Sequence, residues 1–372
     1  MEPIYLDYNA TTPIDPAVVD AMLPFLREHF GNPSSTHAYG LKAHAAVDTA
    51  RGQVARLLGA QPGEIVFTSG GTEATNHALK GTVFARWPEK AHIITSAVEH
   101  PATLQTCKFL EKIGAALTIL SVDRFGLVDP EAVRRAITPQ TIVVSIMHAN
   151  NEVGTIEPIR EIAAIARAHG VLMHTDAAQS AGKVPVDVNE LEVDLVSLAG
   201  HKLYAPKGVG ALYVRQGVKL EPFMHGAGHE SGRRAGTENV PYLVGLGKAC
   251  ELAQSPATER LRSLRDRLWQ RLHAALGERI VRNGHAEKCL PNTLNVNFVG
   301  QVGAELLAAV PEVAASTGSA CHEGSVKLSP VLHAMGVAPE LGKGAVRLSV
   351  GRFTSEDQID RAAETLLTRT VR

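Results

Sequence analysis

Aromatic residues are scarce, at 5% of the chain, and neither charge dominates: 37 Lys and Arg stand against 38 Asp and Glu, for a net charge of −1. A binder of the phosphate backbone needs clustered Lys and Arg. No such cluster is present, so direct nucleic-acid binding is not expected. Cysteine is also rare. The four cysteines, Cys107, Cys250, Cys289 and Cys321, lie far apart with no C-x-x-C, which suggests neither a disulfide framework nor a zinc knuckle, and no metal is expected. No stretch approaches the roughly 20 apolar residues that span a bilayer. The opening residues, MEPIYLDYNATTP, lack the basic region and the apolar run of about 7–15 residues that mark a secretory signal. The expectation is a cytoplasmic protein without membrane association. Two nucleotide signatures are missing as well: there is no G-x-G-x-x-G, and GVAPELGKG has the wrong spacing and ending for a P-loop.

What is there is enough apolar material for one large core or two unequal ones: 372 residues, 45% of them hydrophobic. From about residue 65, short β-rich runs (EIVFT, HIITS, ALTILS, TIVVSIM, VLMHTD, VDLVSLA, VGALYV) alternate with helical stretches. This predicts an α/β fold with a mostly parallel sheet covered by helices on both faces. After two long helical stretches between about 240 and 277, the pattern changes to TLNVNFVG, AVRLSVGRF and a closing helix that Thr354 or Ser355 caps. We expect a large domain over 15–255 and a smaller α+β domain over 256–372, joined by residues 1–14.

Ligands of such sheets gather beyond the carboxyl ends of the strands, and three features fall there. In FTSGGTEATNHA (67–78), a strand runs into two glycines and a helix start, so the backbone N–H groups around Gly71 and Thr72 can hold an anion such as a single phosphate; an ordinary capped turn would read the same. Asp176 ends VLMHTD, as a ligand-facing carboxylate or a simple turn cap. Lys202, in AGHKLYAPKG, is a solvated lysine or, if partly buried, an amine able to condense with a carbonyl. An anion nest, an acid and an amine at the ends of one sheet are what pyridoxal phosphate requires.

Ten ordered motifs support that combination: YLDYNATTP (5–13), GNPSSTH (31–37), FTSGGTEATN (67–76), SAVEHPA (96–102), HANNEVGTI (148–156), HTDAAQS (174–180), GHKLYAPKGVGALYVR (from 200), RRAGTENVP (233–241), STGSAC (316–321) and RLSVGRFT (347–354). Through them the chain resembles, nearly end to end, the cysteine desulfurases, relatives of the class V aminotransferases with the fold-type I architecture. The resemblance implies a seven-stranded-type sheet in the large domain and a pyridoxal 5'-phosphate enzyme that takes sulfur from L-cysteine. It implies that Lys202 holds the cofactor and acts as base, that Asp176 pairs with the ring nitrogen and Gln179 with the ring hydroxyl, and that His100 lies over the ring. Gly71, Thr72 and His201 would hold the phosphate, Asn151 would reach cofactor or substrate, and Arg347 would clamp the substrate carboxylate. Thr237 matches a residue that reaches the phosphate of the neighbouring subunit, which implies a homodimer.

Cys321 would then attack the substrate sulfur, leave alanine and carry a persulfide to an acceptor protein. Small residues surround it, as a segment that must move requires. One departure stands out: Ala199 replaces the Ser or Thr that many relatives place two residues before the histidine of G-H-K, and a lost hydrogen bond of this kind costs about 1.5–3 kcal/mol when nothing replaces it. DYNATTP and the Cys-His pair also resemble selenocysteine lyases. The competing readings are therefore a selenocysteine lyase, an idle sulfur-transfer scaffold and a class V aminotransferase that has no use for Cys321.

Overall fold

The computed structural model describes residues 3–89, 91–317, 321–322, 325–326 and 328–370. Its centre is a seven-stranded sheet in the order Ile65–Thr68, Gly210–Val214, Leu195–Ala199, Leu172–Asp176, Thr141–Ser145, His92–Ser96, Ala116–Leu120. Every neighbouring pair is parallel except the two formed by Gly210–Val214. Four of the five interior strands are buried along their whole length, and Leu172–Asp176 at its three central residues, because consecutive side chains feed different cores. Ile93, Val143, Leu195 and Leu212 face the helices Gly71–Phe84 and Pro101–Lys112, whereas Ile94, Val144, Val196 and Tyr213 face the larger cluster on the other side. At about 1.5–3 kcal/mol for each large apolar side chain buried, this double-sided packing fixes strand register.

Two helices precede the first strand of the sheet, Pro16–Arg27 and Ala38–Leu58, in a region where the sequence pattern predicts no element. The buried stripe of the longer one, Gly40, Ala43, Val47, Ala50 and Val54, consists mainly of small residues, so its periodicity is weak. Its partner needs that smallness. A Cβ on Gly247, in helix Val240–Ala253, would lie 2.6 Å from Ala50 Cα.

A second sheet is antiparallel throughout, in the order Ser316–Thr317, Ala345–Ser349, Thr293–Phe298, Ile280–Asn283. Helices Thr258–Leu276 and Glu356–Thr370 contribute Leu261, Leu264, Leu268, Leu272, Ile359 and Leu366 to its core, together with Ile4 and Leu6 from the start of the chain. The closing helix begins as expected, on Ser355: its Oγ accepts the Gln358 N–H and the Gln358 side chain accepts the Ser355 N–H. Among the described residues, no helix is long and apolar enough to cross a membrane.

Candidate active site

The carboxyl ends of the large sheet and the edge of the small one enclose a cavity of about 460 Å³, within the range of small-molecule and cofactor sites. Gly71, Thr72, His100, Asn151, Asp176, Gln179, His201, Lys202 and Arg347 all line it, with Ala199 beside them. Thr237 does not. It lines a separate cavity with Thr68, Ser69 and Arg234. A larger cavity, of about 800 Å³, lies away from these groups around Asp123, Arg135, Glu157 and Lys288.

Each strand delivers its group in its last residue or just beyond. Thr68 ends a strand, Gly70 follows at φ 151°, a conformation essentially restricted to glycine, and the helix from Gly71 starts with no side-chain cap. Its first N–H groups therefore point to the cavity with positive polarity. A Cβ on Gly71 would meet Ala199 Cβ at 3.1 Å, so a side chain at position 71 would press on Ala199. His100 caps helix Pro101–Lys112: its Nδ1 accepts the Ala102 N–H at 3.1 Å, which leaves the proton of the neutral ring on Nε2. Asp176 ends its strand and accepts the Ala178 N–H at 2.9 Å. Lys202 closes a single turn, Gly200–Lys202, that follows the Leu195–Ala199 strand.

The first residues of the chain supply a part of the site that the sequence reading assigned no role. Lys202 Nζ donates to the carbonyls of Asn9 (2.6 Å) and Ala10 (2.7 Å), and Gln179 Nε2 donates to Asn9 O at 2.9 Å. Thr11 Oγ1 lies 3.1 Å from His201 Nδ1. Asp7 pairs with Arg347 Nη2 at 2.8 Å while Arg347 Nη1 donates to Asn151 O at 3.0 Å, and Arg347 Nε is buried with no protein partner. Asn9 itself is tied down by Thr293, Asn292 and Ser349, in or next to strands of the small sheet. Lys183 and Glu99 were missed as well. Both are buried, and neither AGKVP nor AVEHP carries a pattern that distinguishes them from surface charges.

Burial governs the protonation of these groups. It lowers the Lys202 pKa to about 8, with the nearby Arg347 cation acting in the same direction and Asp176 and Asp7 opposing it. Burial raises Asp176, against the Ala178 hydrogen bond and the charges of His100 and Lys202. It lowers His100, with Asp176 opposing and Lys202 assisting, and it takes His201 down to about 4, assisted by Lys202 and Lys207. Both imidazoles are thereby favoured in the neutral form at pH 7.

Cys321 enters through its backbone, in a two-residue strand, Cys321–His322, paired with Ser325–Val326; its side chain lies outside the described residues. The chain leading to it runs antiparallel to the strand of Arg347, with Ser316 opposite that residue. Beyond it, Ser329 caps the next helix and hydrogen-bonds Glu152, the neighbour of Asn151. The other cysteines are buried and unpaired: Cys107 and Cys250 sit in apolar cores and Cys289 contacts Arg265 at 3.1 Å.

The sequence pattern of the family described as aminotransferase class-V matches residues 4–362. The chain is 46% identical to the cysteine desulfurase IscS of Dictyoglomus turgidum over 368 residues, which cover 98% of this chain and 93% of that protein. It is 48% identical to the cysteine desulfurase IscS of Methanosarcina thermophila, covering 97% and 90%. The chain belongs to the class V aminotransferases, in their cysteine desulfurase branch. Among solved structures, a NifS-like protein superposes with a TM-score of 0.92 at 38% identity, covering 98% of both chains. A structure described as SspA in complex with cysteine gives 0.85 at 40% identity, covering 94% of this chain and 99% of that one. The fold is that of the fold-type I enzymes, and the protein is a pyridoxal-phosphate-dependent cysteine desulfurase.

The cavity of this desulfurase fits that cofactor. An uncapped helix N-terminus matches a phosphate, the enclosed Asp176 carboxylate matches a ring N–H, and the amine of Lys202 matches the aldehyde. The buried, unpartnered Arg347 Nε is a donor left over for an anionic substrate group.

Proposed function

We propose that Lys202, Asp176, Gln179, His100, Gly71, Thr72, His201 and Asn151 hold the cofactor, that Arg347 and Asn151 bind L-cysteine, and that Cys321 receives its sulfur. The observation that carries the reading is the convergence of all these residues except Cys321 on one cavity. When bound, pyridoxal phosphate supplies an electron sink conjugated to the substrate Cα.

Lys202, with its pKa near 8, has an unprotonated fraction at neutral pH and takes the Cα proton at Nζ. Asp176 holds the ring N–H. His100 offers a donor at Nε2, because its Nδ1 is engaged by the Ala102 N–H. Arg347 orients the substrate carboxylate with its remaining donors, Asp7 and Asn151 O fixing the guanidinium plane. The thiolate of Cys321 attacks the substrate sulfur. The S–S bond forms as the Cβ–S bond breaks, the bonding pair stays on Cβ and takes up a proton, and return of the Cα proton from Lys202 Nζ completes alanine. Sulfur is oxidised to the sulfane level and carbon is reduced, so no outside oxidant is needed. Cys321 follows Thr317 by four residues, a reach of at most about 14 Å in extended chain, from a strand that pairs with that of Arg347.

The test is to incubate the purified holoprotein with L-cysteine and to examine the peptide carrying Cys321 by mass spectrometry. One added sulfur on that peptide, with equivalent alanine in solution, is expected. Alanine with no sulfur on Cys321 would remove the cysteine from the mechanism.

The same reading divides the chain into a cofactor domain, 15–255, and a smaller domain, 1–14 with 256–372, that carries Cys321. Its support is that the largest core draws only on residues between Val18 and Ala253, whereas the second draws on Ile4, Leu6 and residues from Leu261 onward. We also infer a homodimer in which Thr237 completes the phosphate site of the other copy; its position outside the Lys202 cavity of its own chain supports this. The sulfur passes on to an acceptor protein, and the unpaired state of Cys107, Cys250 and Cys289 supports a cytoplasmic location.

Ala199 gives a gain-of-affinity prediction. It faces the Gly71 wall from the end of its strand, where a hydroxyl could meet the phosphate. Ala199→Ser is expected to tighten the binding of pyridoxal phosphate to apoprotein by about tenfold, the worth of one hydrogen bond to a charged group. Equilibrium titration of cofactor absorbance reads the change; unchanged affinity would mean that another donor already serves that oxygen.

A further inference from the structure

Gln179 presents an amide to the cavity, and an amide can be turned two ways. One offers a donor, the other a lone pair. Lys183, four residues further on, is only 7% exposed, and among the described residues no carboxylate pairs with it. Its Nζ donates instead to two acceptors of the same residue, Gln179 O at 2.9 Å and Gln179 Oε1 at 3.0 Å. On the opposite side, Gln179 Nε2 donates to Asn9 O at 2.9 Å. An Nζ–H cannot donate to an amide NH2, and a backbone carbonyl cannot donate at all. Both neighbours therefore demand the same orientation.

We propose that Lys183 is a positioning residue that locks the Gln179 side chain with Nε2, not Oε1, on the cavity side, so that the cofactor's ring oxygen meets a hydrogen-bond donor. This rests on the proposed placement of Gln179 against that oxygen. The ionised ring oxygen is an acceptor only: a donor stabilises it, and the amide oxygen of a turned Gln179 would repel it. A buried lysine without a counter-ion is costly, and burial, with Lys202 and Arg347 adding to it, lowers its pKa to about 7. The lock survives loss of the charge, since a neutral amine keeps two N–H donors for the two carbonyl oxygens. Lys183 touches neither substrate nor cofactor in this account and acts only through Gln179.

The readout is the pH midpoint of the visible absorption of the bound cofactor, measured on reconstituted holoprotein without substrate, with thermal unfolding as the check of folding. Gln179→Leu removes the donor and is expected to raise the midpoint by about one unit, a tenfold change in the ring ionisation equilibrium. Lys183→Met is close to lysine in shape and releases the amide; a rise of similar direction is expected. In the double variant, Lys183→Met is expected to add nothing to the effect of Gln179→Leu. Lys183→Gln, uncharged but still a donor to Oε1, is expected to stay near the parent value, and it also serves if Lys183→Met does not fold. An unchanged midpoint in Lys183→Met, additive shifts in the double variant, or a shift in Lys183→Gln equal to that of the methionine variant would overturn the lock. A silent Gln179→Leu would instead overturn the placement of Gln179, and the lock with it.

Discussion

Lys202→Ala is expected to lose at least about 10³-fold in the rate of alanine formation from L-cysteine, the range assigned to removal of a positioned base, while remaining folded. Lys202 is the only lysine among the described residues lining the cavity. It is presented by a tight turn on the last residue of a buried strand, and two backbone carbonyls hold its amine in place. The substitution is expected to abolish the visible absorption that marks covalently held cofactor and to leave the remaining cofactor removable by dialysis, since the helix N-terminus at Gly71 and the Asp176 carboxylate persist. Little penalty in stability is foreseen: the pKa of Lys202 is pushed well below its ordinary value, so the folded protein already bears a cost for that amine. Turnover within about tenfold of the parent, with the absorption intact, would mean that another amine does this work.

Cys321→Ser is the second large effect. Serine keeps the size of the residue but has no sulfur to form a persulfide, and its hydroxyl is scarcely ionised where a thiol is partly thiolate. Sulfur transfer to the protein is expected to vanish and alanine formation to fall by about 10³-fold or more, as for loss of an essential nucleophile. Binding should survive. Arg347, Asn151 and Lys202 are anchored by the large sheet, the small sheet and the N-terminal segment, not by residue 321. The expected signature is thus a substrate-induced change in cofactor absorption of parent size, followed by almost no alanine. If alanine forms at the parent rate, the substrate sulfur leaves by another route, and Cys321 serves only to receive it.

These two residues illustrate different degrees of legibility. Lys202 and Asp176 could be placed from the sequence because an apolar run followed by a polar residue marks a strand end, and strand ends of a parallel sheet share one side of the molecule. Glycines at 70 and 71 announced the uncapped helix start in the same way. Cys321 offered no such geometry: without the surrounding motifs it is a thiol among small residues. Lys183 and Glu99 were invisible. A lysine after glycine is ordinarily solvated, and only the packing of the chain around Gln179 and Asn9 turns it into a buried donor. The helices before the main sheet escaped for a related reason, since a stripe of alanine and glycine becomes a contact face only once Val240–Ala253 lies against it.

What the sequence determined by itself was the alternation of strands and helices, and with it the parallel sheet and the edge on which chemistry gathers. Periods of apolar residues are local, and they survive translation into structure because the interior strands must bury side chains on both faces. What only the tertiary structure decided was the company each group keeps: Asp7 beside Arg347, Asn9 O shared by Lys202 and Gln179, Lys183 aimed at an amide. Asp7 and Arg347 are 340 residues apart in the chain, and charges that meet only on folding acquire their orientation and role from an enclosure that no local pattern encodes.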